Sequence, residues 1–196
     1  MSTRRLGALA AALGIAVLAS AQGALGQPKE DAGKDGASPA AEQTAAWHTT
    51  TGPERSFTAD LPAAPSYTTM EMRTAAGSSY TMHQYLLERG EVAYVVQTAT
   101  YPADVKVSNH RINLQGGLDT AAKNMEGGKW DSIGWATHQG LTAVDAIGAR
   151  GSHAIRTFSV MKGPRVFTLT YAGPSGSARS ADVDRFIGSL RIDPKD

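Results

Sequence analysis

The sequence predicts an α+β fold, an antiparallel β-sheet of about seven to eight strands with two amphipathic helices packed on it. Short runs of alternating apolar and polar residues, separated by Gly, Pro and Asn, fill most of the chain from Trp47 onward. The apolar spacing changes to that of a helix twice, after Ser108 and within "DVDRFIGSLRI", residues 182–192. Clustered strands with two separate helices indicate α+β rather than alternating βαβ units.

Eight runs have the composition of strands, five before the first helix and three after it. Gly52-Pro53 supplies the turn of a first hairpin. Arg89-Gly90 supplies a tight reversal before "VAYVVQTATY", in which β-branched and aromatic residues are densest. The other strand-like runs are "WHTTT", "RSFTADLP", "SYTTMEMRT", "YTMHQYLLE", "WDSIGWATHQ", "SHAIRTFSVM" and "RVFTLTYAG".

Apolar residues recur at helical spacing in two segments, each with one apolar stripe, so each helix is expected to lie against the sheet. In the first, Ser108 is the expected N-cap and Gly127-Gly128 the expected stop. After the second, the strand-like Arg191-Ile192 is expected to return along the edge of the sheet. The stripes are Leu114, Leu118, Ala121 or Ala122 and Met125, and then Val183, Phe186, Ile187 and Leu190.

Residues 1–21 have the pattern of a cleaved signal peptide. Arg4 and Arg5 precede an uncharged apolar run, and Ala19-Ser20-Ala21 supplies the small residues that a signal peptidase reads. The apolar run is about 14 residues long, whereas a membrane-spanning helix needs roughly 20. Cleavage after Gly26 is the alternative. We therefore expect an exported protein, periplasmic or extracellular, without a membrane span.

Residues 22–46 are predicted to be a disordered linker, because residues 27–46 contain no large apolar side chain. Residues 47–193 are predicted to form a single domain, long enough to bury roughly 68–70% of its unfolded surface. The chain has no cysteine, so this core must be stable without disulfides. There are 19 Lys and Arg against 18 Asp and Glu, and removal of residues 1–21 leaves 17 against 18. This balance indicates no nucleic-acid partner.

Several segments occur in an order that is familiar from one fold. A Trp-led first strand and "FTADLPAAP" are followed by "VAYVVQTATYP", a helix ending in "GGKW", "KGPRVFTLTYAGP" and the terminal "DRFIGSLRI". This order resembles small exported bacterial proteins of the PsbP-like fold, named after an extrinsic subunit of photosystem II. The resemblance covers Trp47 to Ile192. It implies an antiparallel sheet with packed helices and roles in binding or assembling with other proteins, and it implies no catalytic residue.

Residues that carry chemistry are present, but their spacing matches no catalytic or metal motif. The histidines do not stand in spacings that a zinc site favours, such as H-x-H or H-E-x-x-H. Asp182 and Asp184 lie in the first turn of the final helix, where their charge favours the helix dipole. We therefore predict no catalytic residue, no metal and no cofactor. The histidines are His48, His83, His110, His138 and His153.

Aromatic residues indicate a binding face on the sheet. Trp130 and Trp135 are five apart on one predicted strand, so they are expected to point to opposite faces. If both helices pack on one face, the other face presents Trp, Tyr, His and Leu side chains, with His83, Tyr85 and Trp135 as candidate binding residues. The alternative is that a loop or the twist of the sheet covers this face.

Two function hypotheses follow from the sequence. The first is a non-enzymatic binding or assembly module that contacts an envelope protein or a small apolar ligand through its exposed sheet face. The second is a small exported hydrolase or metal-dependent enzyme that uses separated His and Asp residues. The second requires His83, His138 and His153 to approach one another or a carboxylate in the folded protein.

Overall fold

A computed structural model of the protein describes residues 46–74 and 76–195. The predicted signal peptide, residues 1–21, and all but the last residue of the predicted linker, residues 22–46, lie outside the described residues. Within them the chain forms ten strands and two α-helices, which confirms the α+β class. The helices are α1, His110–Ala122, and α2, Ala181–Gly188.

Seven strands form a continuous antiparallel sheet, and three shorter strands form a second one. The large sheet has the order β3-β4-β5-β9-β8-β7-β6, and the small sheet has the order β1-β2-β10. The strands are β1 (His48–Thr51), β2 (Phe57–Leu61), β3 (Ser66–Arg73), β4 (Ser79–Arg89), β5 (Val92–Thr100), β6 (Ser132–His138), β7 (Leu141–Arg150), β8 (His153–Lys162), β9 (Arg165–Pro174) and β10 (Arg191–Ile192).

The two helices lie on opposite faces of the large sheet. Helix α1 packs on β7 and β8, and the face it covers is called the α1 face here. Helix α2 and the small sheet cover the other face, the α2 face. Alternate residues of β5 show this division, because Val96 belongs to the core under α2 and Val95 to the core under α1. The condition for a wholly exposed face, both helices on one side, is therefore not met.

The C-terminal helix is the one the sequence predicts. Ser180 caps it, and the side chains of Val183, Phe186 and Ile187 are buried against the sheet. The strand that follows pairs with β2 of the small sheet, with Ile192 opposite Phe57. It does not return along the edge of the large sheet, because α2 lies on the same face as the small sheet and delivers the chain to it.

Helix α1 differs from its prediction at the N-terminus. The cap is Asn109 rather than Ser108, and its Oδ1 accepts a hydrogen bond from the Ile112 N–H at 3.1 Å. The paired glycines at 116 and 117 do not interrupt the helix. Met125 is buried in the same core, although it lies beyond the last helical turn.

Strand β7 is absent from the sequence prediction. Its sequence, "LTAVDAIGAR", is rich in Ala and Gly, which have low β-propensity. The small residues serve packing, since a Cβ on Gly148 would lie 3.1 Å from the Trp130 ring. Ala143 and Ala146 have no exposed surface. Strand β7, next to the edge strand β6, therefore forms because of the residues packed on it rather than because of its own β-propensity.

The predicted opposite orientation of the two tryptophans is wrong. Trp130 precedes β6, so strand alternation does not relate it to Trp135, and both side chains contact the core of the α1 face. The Trp130 indole N–H donates to the Leu118 carbonyl at 2.9 Å. This bond joins the end of α1 to the chain that enters β6.

A buried arginine connects α2 to the centre of the large sheet. Arg156 on β8 donates through Nε and Nη2 to the Asp145 carboxylate at 3.0 and 2.8 Å. Its Nη1 donates to Asp184 Oδ1 at 2.6 Å and to the Ala178 carbonyl at 3.1 Å. The hydrogen bonds to Asp145 raise the pKa of Arg156, and its burial opposes them. Three segments of the α2 face therefore depend on one guanidinium.

Replacing this arginine is expected to destabilise the fold. Arg156→Met should lower the free energy of unfolding by about 2–4 kcal/mol, because Asp145 would keep its partly buried charge without a partner. Asp184→Asn should cost less than about 1 kcal/mol, since 59% of the Asp184 side chain is exposed. Urea denaturation of both variants measures the difference. Equal losses would contradict the assignment of Asp145 as the principal partner.

His138 anchors the C-terminal segment on the opposite edge of the sheet. Its Nε2–H donates to the Leu190 carbonyl at 3.1 Å, and its ring lies edge-on to Phe158. Burial lowers the pKa of His138, and the hydrogen bond to Leu190 partly offsets this. The neutral imidazole is therefore the form that the folded protein favours.

Stability should consequently fall as the pH drops below about 6.5, the usual pKa of an unfolded histidine. In that range the unfolded chain binds the proton more readily than the folded protein does, so acid favours unfolding until the lowered pKa of His138 is passed. His138→Asn should flatten the dependence between about pH 5 and 7. The exposed His48→Asn variant is the control. Urea titrations across this range measure the effect, and parallel curves for wild type and His138→Asn would refute it.

Candidate functional site

A cleft of about 420 Å³ opens on the α2 face where the small sheet stops covering the large one. The start of β4, the end of β5 and the start of β9 form its floor, and the turn between β1 and β2 forms one wall. Residues that line it are Pro53, Glu54, Ser56, Ser79, Tyr80, Thr81, His83, Thr98, Ala99, Thr100, Tyr101, Pro102 and Arg165.

The floor of the cleft is polar, because alternate residues of two paired strands point toward it. His83 stands opposite Thr98 in the register of β4 and β5, on the same face as Tyr85. The Thr98 hydroxyl donates to the Val166 carbonyl at 2.9 Å. At the end of β5, Thr100 accepts a hydrogen bond from Arg165 Nε at 2.9 Å. The arginine is thereby held by a second strand.

The wall is shaped by a turn in a disfavoured conformation. Glu54 and Arg55 have φ values of 54° and 61°, in the left-handed region that non-glycine residues rarely adopt. Gly52 precedes them, and a Cβ there would come within 2.2 Å of the Phe57 ring. Phe57 packs edge-on against Phe167 and Tyr85 of the large sheet. The close approach of Phe57 to Gly52 therefore fixes where the turn can run.

One buried hydroxyl in this wall has no partner. Ser56 is 1% exposed, and its Oγ makes no hydrogen bond within residues 46–74 and 76–195. An unpaired buried hydroxyl costs free energy, so its persistence at the border of a cleft is notable. The other buried hydroxyl without a partner in these segments belongs to Thr50, which does not line the cleft.

An ion pair spans the cleft from wall to floor. Arg165 Nη2 lies 3.6 Å from Glu54 Oε2. The arginine side chain is 20% exposed, whereas the glutamate side chain is 81% exposed. The carboxylate is therefore largely in water and forms a loose pair, while the guanidinium is the more fixed partner.

His83 is oriented by an aromatic neighbour on the edge strand. Tyr67 Oη lies 2.7 Å from His83 Nδ1, and the two rings are stacked. With the phenol as donor, the neutral imidazole carries its proton on Nε2. Tyr67 is 51% exposed and also contacts Tyr85, whose pKa is raised by burial and by Tyr67. Tyr85 donates to the Thr51 carbonyl at 3.2 Å.

Two tyrosines border the far end of the cleft, but their rings lie on the α1 side of the sheet, because Tyr80 alternates with Thr81 on β4 and Tyr101 packs against the core under α1. Tyr80 and Tyr101 meet edge to face, with ring centroids 5.5 Å apart. Burial raises the pKa of both phenols, so both are neutral at ordinary pH. Pro102 and Pro53 complete this part of the lining. The apolar part of the cleft is therefore small, and its floor is polar.

The predicted binding residues fall on two different surfaces. His83 and Tyr85 lie together on the α2 face of β4. Trp135 lies on the α1 face of β6, at the opposite edge of the sheet, with the Arg111 guanidinium 4.4 Å from its ring. The three therefore do not form one site. Glu54, Ser56 and Arg165 are not among the predicted binding residues, and the Gly52-Pro53 turn is the one sequence signal for the wall.

The strand order keeps the three candidate histidines apart. Five inter-strand spacings separate β4 from β6, so His83 and His138 are roughly 24 Å apart across the sheet. His138 pairs with Leu141 at the start of β7, whereas His153 pairs with Arg150 at its end. Within the described residues no group of three or more His, Asp or Glu side chains is placed to hold a metal ion. Nor do these residues include a helix long and apolar enough to cross a membrane.

Ser56→Ala is expected to leave the fold intact and to raise or maintain the free energy of unfolding, by up to about 1 kcal/mol. The variant removes a buried hydroxyl that has no partner. Ser159 is the matched control, since its hydroxyl pairs with Thr168 at 3.1 Å, and Ser159→Ala should cost about 1 kcal/mol. Thermal and urea unfolding compare the two. A larger loss for Ser56→Ala than for Ser159→Ala would show that Ser56 is satisfied.

Among known proteins, similarity to this chain is found in solved structures. No protein-family model matches the chain, and no curated protein matches it. Among solved structures, the solution structure of cyanobacterial PsbP from Synechocystis is similar, with a TM-score of 0.48 and 9% sequence identity. The similarity covers 80% of this chain and 98% of that one. This similarity concerns the fold alone.

Proposed function

We propose that this protein is an exported, non-enzymatic binding module and that the cleft between the β1–β2 turn and the end of β5 is its binding site. The N-terminal pattern of residues 1–21 supports export. The cleft supports binding, because its volume of about 420 Å³ is within the range of small-molecule sites. This cleft is the observation that carries the proposal.

The chemistry of the lining favours a small ligand with both polar and apolar parts. His83 and Arg165 each have a fixed orientation, one set by Tyr67 and the other by Thr100, so little side-chain entropy is lost when a ligand binds. Pro53 and Pro102 offer an apolar surface to the rest of the ligand. This combination departs from the purely apolar ligand and from the protein partner considered at the level of the sequence.

The proposed roles are recognition roles. Arg165 and the His83 Nε2–H donate hydrogen bonds, and the Thr81 hydroxyl on the floor can donate or accept. Each of these groups comes from a strand of the large sheet, which holds it more rigidly than a loop would. The turn that carries Glu54 is the adaptable part of the site.

The site can be tested by screening amphipathic fragments against the exported protein, as processed by the cell, with amide NMR shifts as the readout. We expect bound fragments to shift the signals of Thr81, Thr98 and Thr100. Thr81→Trp fills the cleft from an exposed floor position and should weaken binding at least tenfold. Thr137→Trp, at an exposed position of β6, is the matched control and should bind as wild type does.

Fragments that shift signals elsewhere, or that bind equally well to Thr81→Trp, would remove the cleft from consideration as the binding site. Both tryptophan variants should keep the melting temperature close to that of the wild type, because neither replaces a buried residue.

A further inference from the structure

We propose that the open edge of the large sheet at β6 binds an extended segment of a partner protein, and that this segment carries an acidic residue opposite Trp135. The segment adds an antiparallel strand to β6 and places its carboxylate against the Arg111 guanidinium. No residue of β6 lines the cleft, so this surface is separate from the site of the proposed function.

The backbone of β6 has hydrogen-bonding groups that point away from the sheet. Among the described residues, β6 is the last strand of the large sheet and pairs only with β7. A two-residue turn, Gln139-Gly140, joins the two strands with positive φ at both positions, so His138 beside it forms a hydrogen-bonded pair with its partner on β7. Alternation then directs the N–H and C=O groups of Ile133, Trp135 and Thr137 outward.

Strand β6 lacks the features that keep an exposed edge from pairing. Such edges are commonly protected by charged residues, by proline or by a very short strand. Strand β6 has seven residues, none of them charged and none of them proline, whereas β3, at the other edge, contains Glu71 and Arg73. Helix α1 packs on β7 and β8, which are one and two strands in from β6. Of the two edges of the large sheet, β6 is therefore the one suited to pair with an added strand.

The side chains on the α1 face of β6 form a small surface beside this edge. Trp135 packs against the core under α1, and Ile133 lies two residues away on the same face and is 41% exposed. The Arg111 guanidinium lies 4.4 Å from the centroid of the Trp135 ring. One strand therefore supplies both the outward backbone groups and a surface for the alternate side chains of an added strand.

The charge of Arg111 indicates which partner fits. Arg111 is exposed, and its guanidinium stacks on Trp135 without a hydrogen bond or an ion pair to any residue that the structure describes. Stacking orients the plane of the guanidinium and leaves its N–H donors at the periphery, where they match a carboxylate. Strand β6 itself contains no carboxylate. A carboxylate on the added strand, directly opposite Trp135, is therefore the complementary charge.

The same charge disfavours a second copy of this chain as the added strand. Two copies of β6 pair over their whole length when Trp135 lies opposite its own copy, because Trp135 is the central residue of Ser132–His138. In that register the two α1 faces lie on the same side of the joined sheet. Both copies of Arg111 would then approach the same pair of tryptophans, and their like charges repel. A partner segment with an acidic residue avoids this repulsion.

The test is an NMR titration of the protein, as processed by the cell, with the heptapeptide acetyl-Ser-Val-Thr-Glu-Thr-Val-Ser-amide. Its glutamate can lie opposite Trp135, with its valines opposite Ile133 and Thr137. We expect the amide signals of these three residues to shift, with a dissociation constant of about 1 mM. The same peptide with Lys in place of Glu should bind about tenfold more weakly. A form N-methylated at Glu should not bind, because it lacks the central donor of the added strand.

Two protein variants separate the charge from the strand pairing. Arg111→Gln should bind the Glu and Lys peptides equally, and Arg185→Gln is its matched control, since that guanidinium stacks on Trp47 at 4.3 Å. Thr137→Pro removes one outward N–H and should weaken binding of the Glu peptide about tenfold, while the pairing with β7 is kept. Thr69→Pro, on the other edge strand β3, is its matched control and should bind as wild type does.

The outcomes distinguish the parts of this inference. If the wild type binds the Glu and Lys peptides equally, or if Arg111→Gln keeps the difference between them, the acidic specificity is wrong. If no β6 signal shifts, or if the N-methylated peptide binds as its parent does, the addition of a strand is wrong. Self-association of the free protein that Thr137→Pro abolishes and Thr69→Pro does not would assign the edge to a second copy and overturn the proposal. The signals of the cleft report on the proposed function separately.

Discussion

The fold depends on how the α2 face is covered, because the large sheet carries apolar residues on both faces and α2, with eight residues, is too short to cover its face alone. Helix α2 and the small sheet together cover the α2 face, and the pairing of Ile192 with Phe57 joins them. The guanidinium of Arg156 fixes α2 over the centre of the sheet through Asp145 and Asp184. Helix α2 and the small sheet, together called the cover here, extend to the turn after β1, and the cleft begins there. The site is thus a consequence of how far the cover extends.

The packing of Phe57 fixes one end of the turn between β1 and β2. Phe57 packs against Phe167 and Tyr85, and Gly52 admits its ring, so the turn that follows Gly52 has a fixed starting point. The turn itself carries two left-handed residues, one of which is Glu54. A rigid floor of strand residues therefore faces a strained wall. This asymmetry gives the cleft one side that recognises and one side that can adjust.

The sequence could predict the elements but not their assembly. Alternation and β-branched residues predict β4 and β5, and the stripe of Val183, Phe186 and Ile187 predicts α2, because these signals are local. Strand β7 was not predicted because its alanines and its one glycine have low β-propensity, although Gly148 permits the close packing of Trp130. The side of the sheet on which each helix lies is set by long-range packing. The cleft combines residues more than a hundred positions apart, such as Glu54 and Arg165, which no local pattern relates.

Polar groups inside the sheet show what sets the cleft apart. Gln84 and Gln97, Thr157 and Thr170, and Ser159 and Thr168 are buried and hydrogen-bond across neighbouring strands. These pairs satisfy one another, so they belong to the architecture and offer nothing to a ligand. Ser56 is buried as deeply and has no partner among the described residues. Ser56, at the border of the cleft, therefore differs from these pairs in having a hydroxyl whose hydrogen-bonding capacity no described residue satisfies.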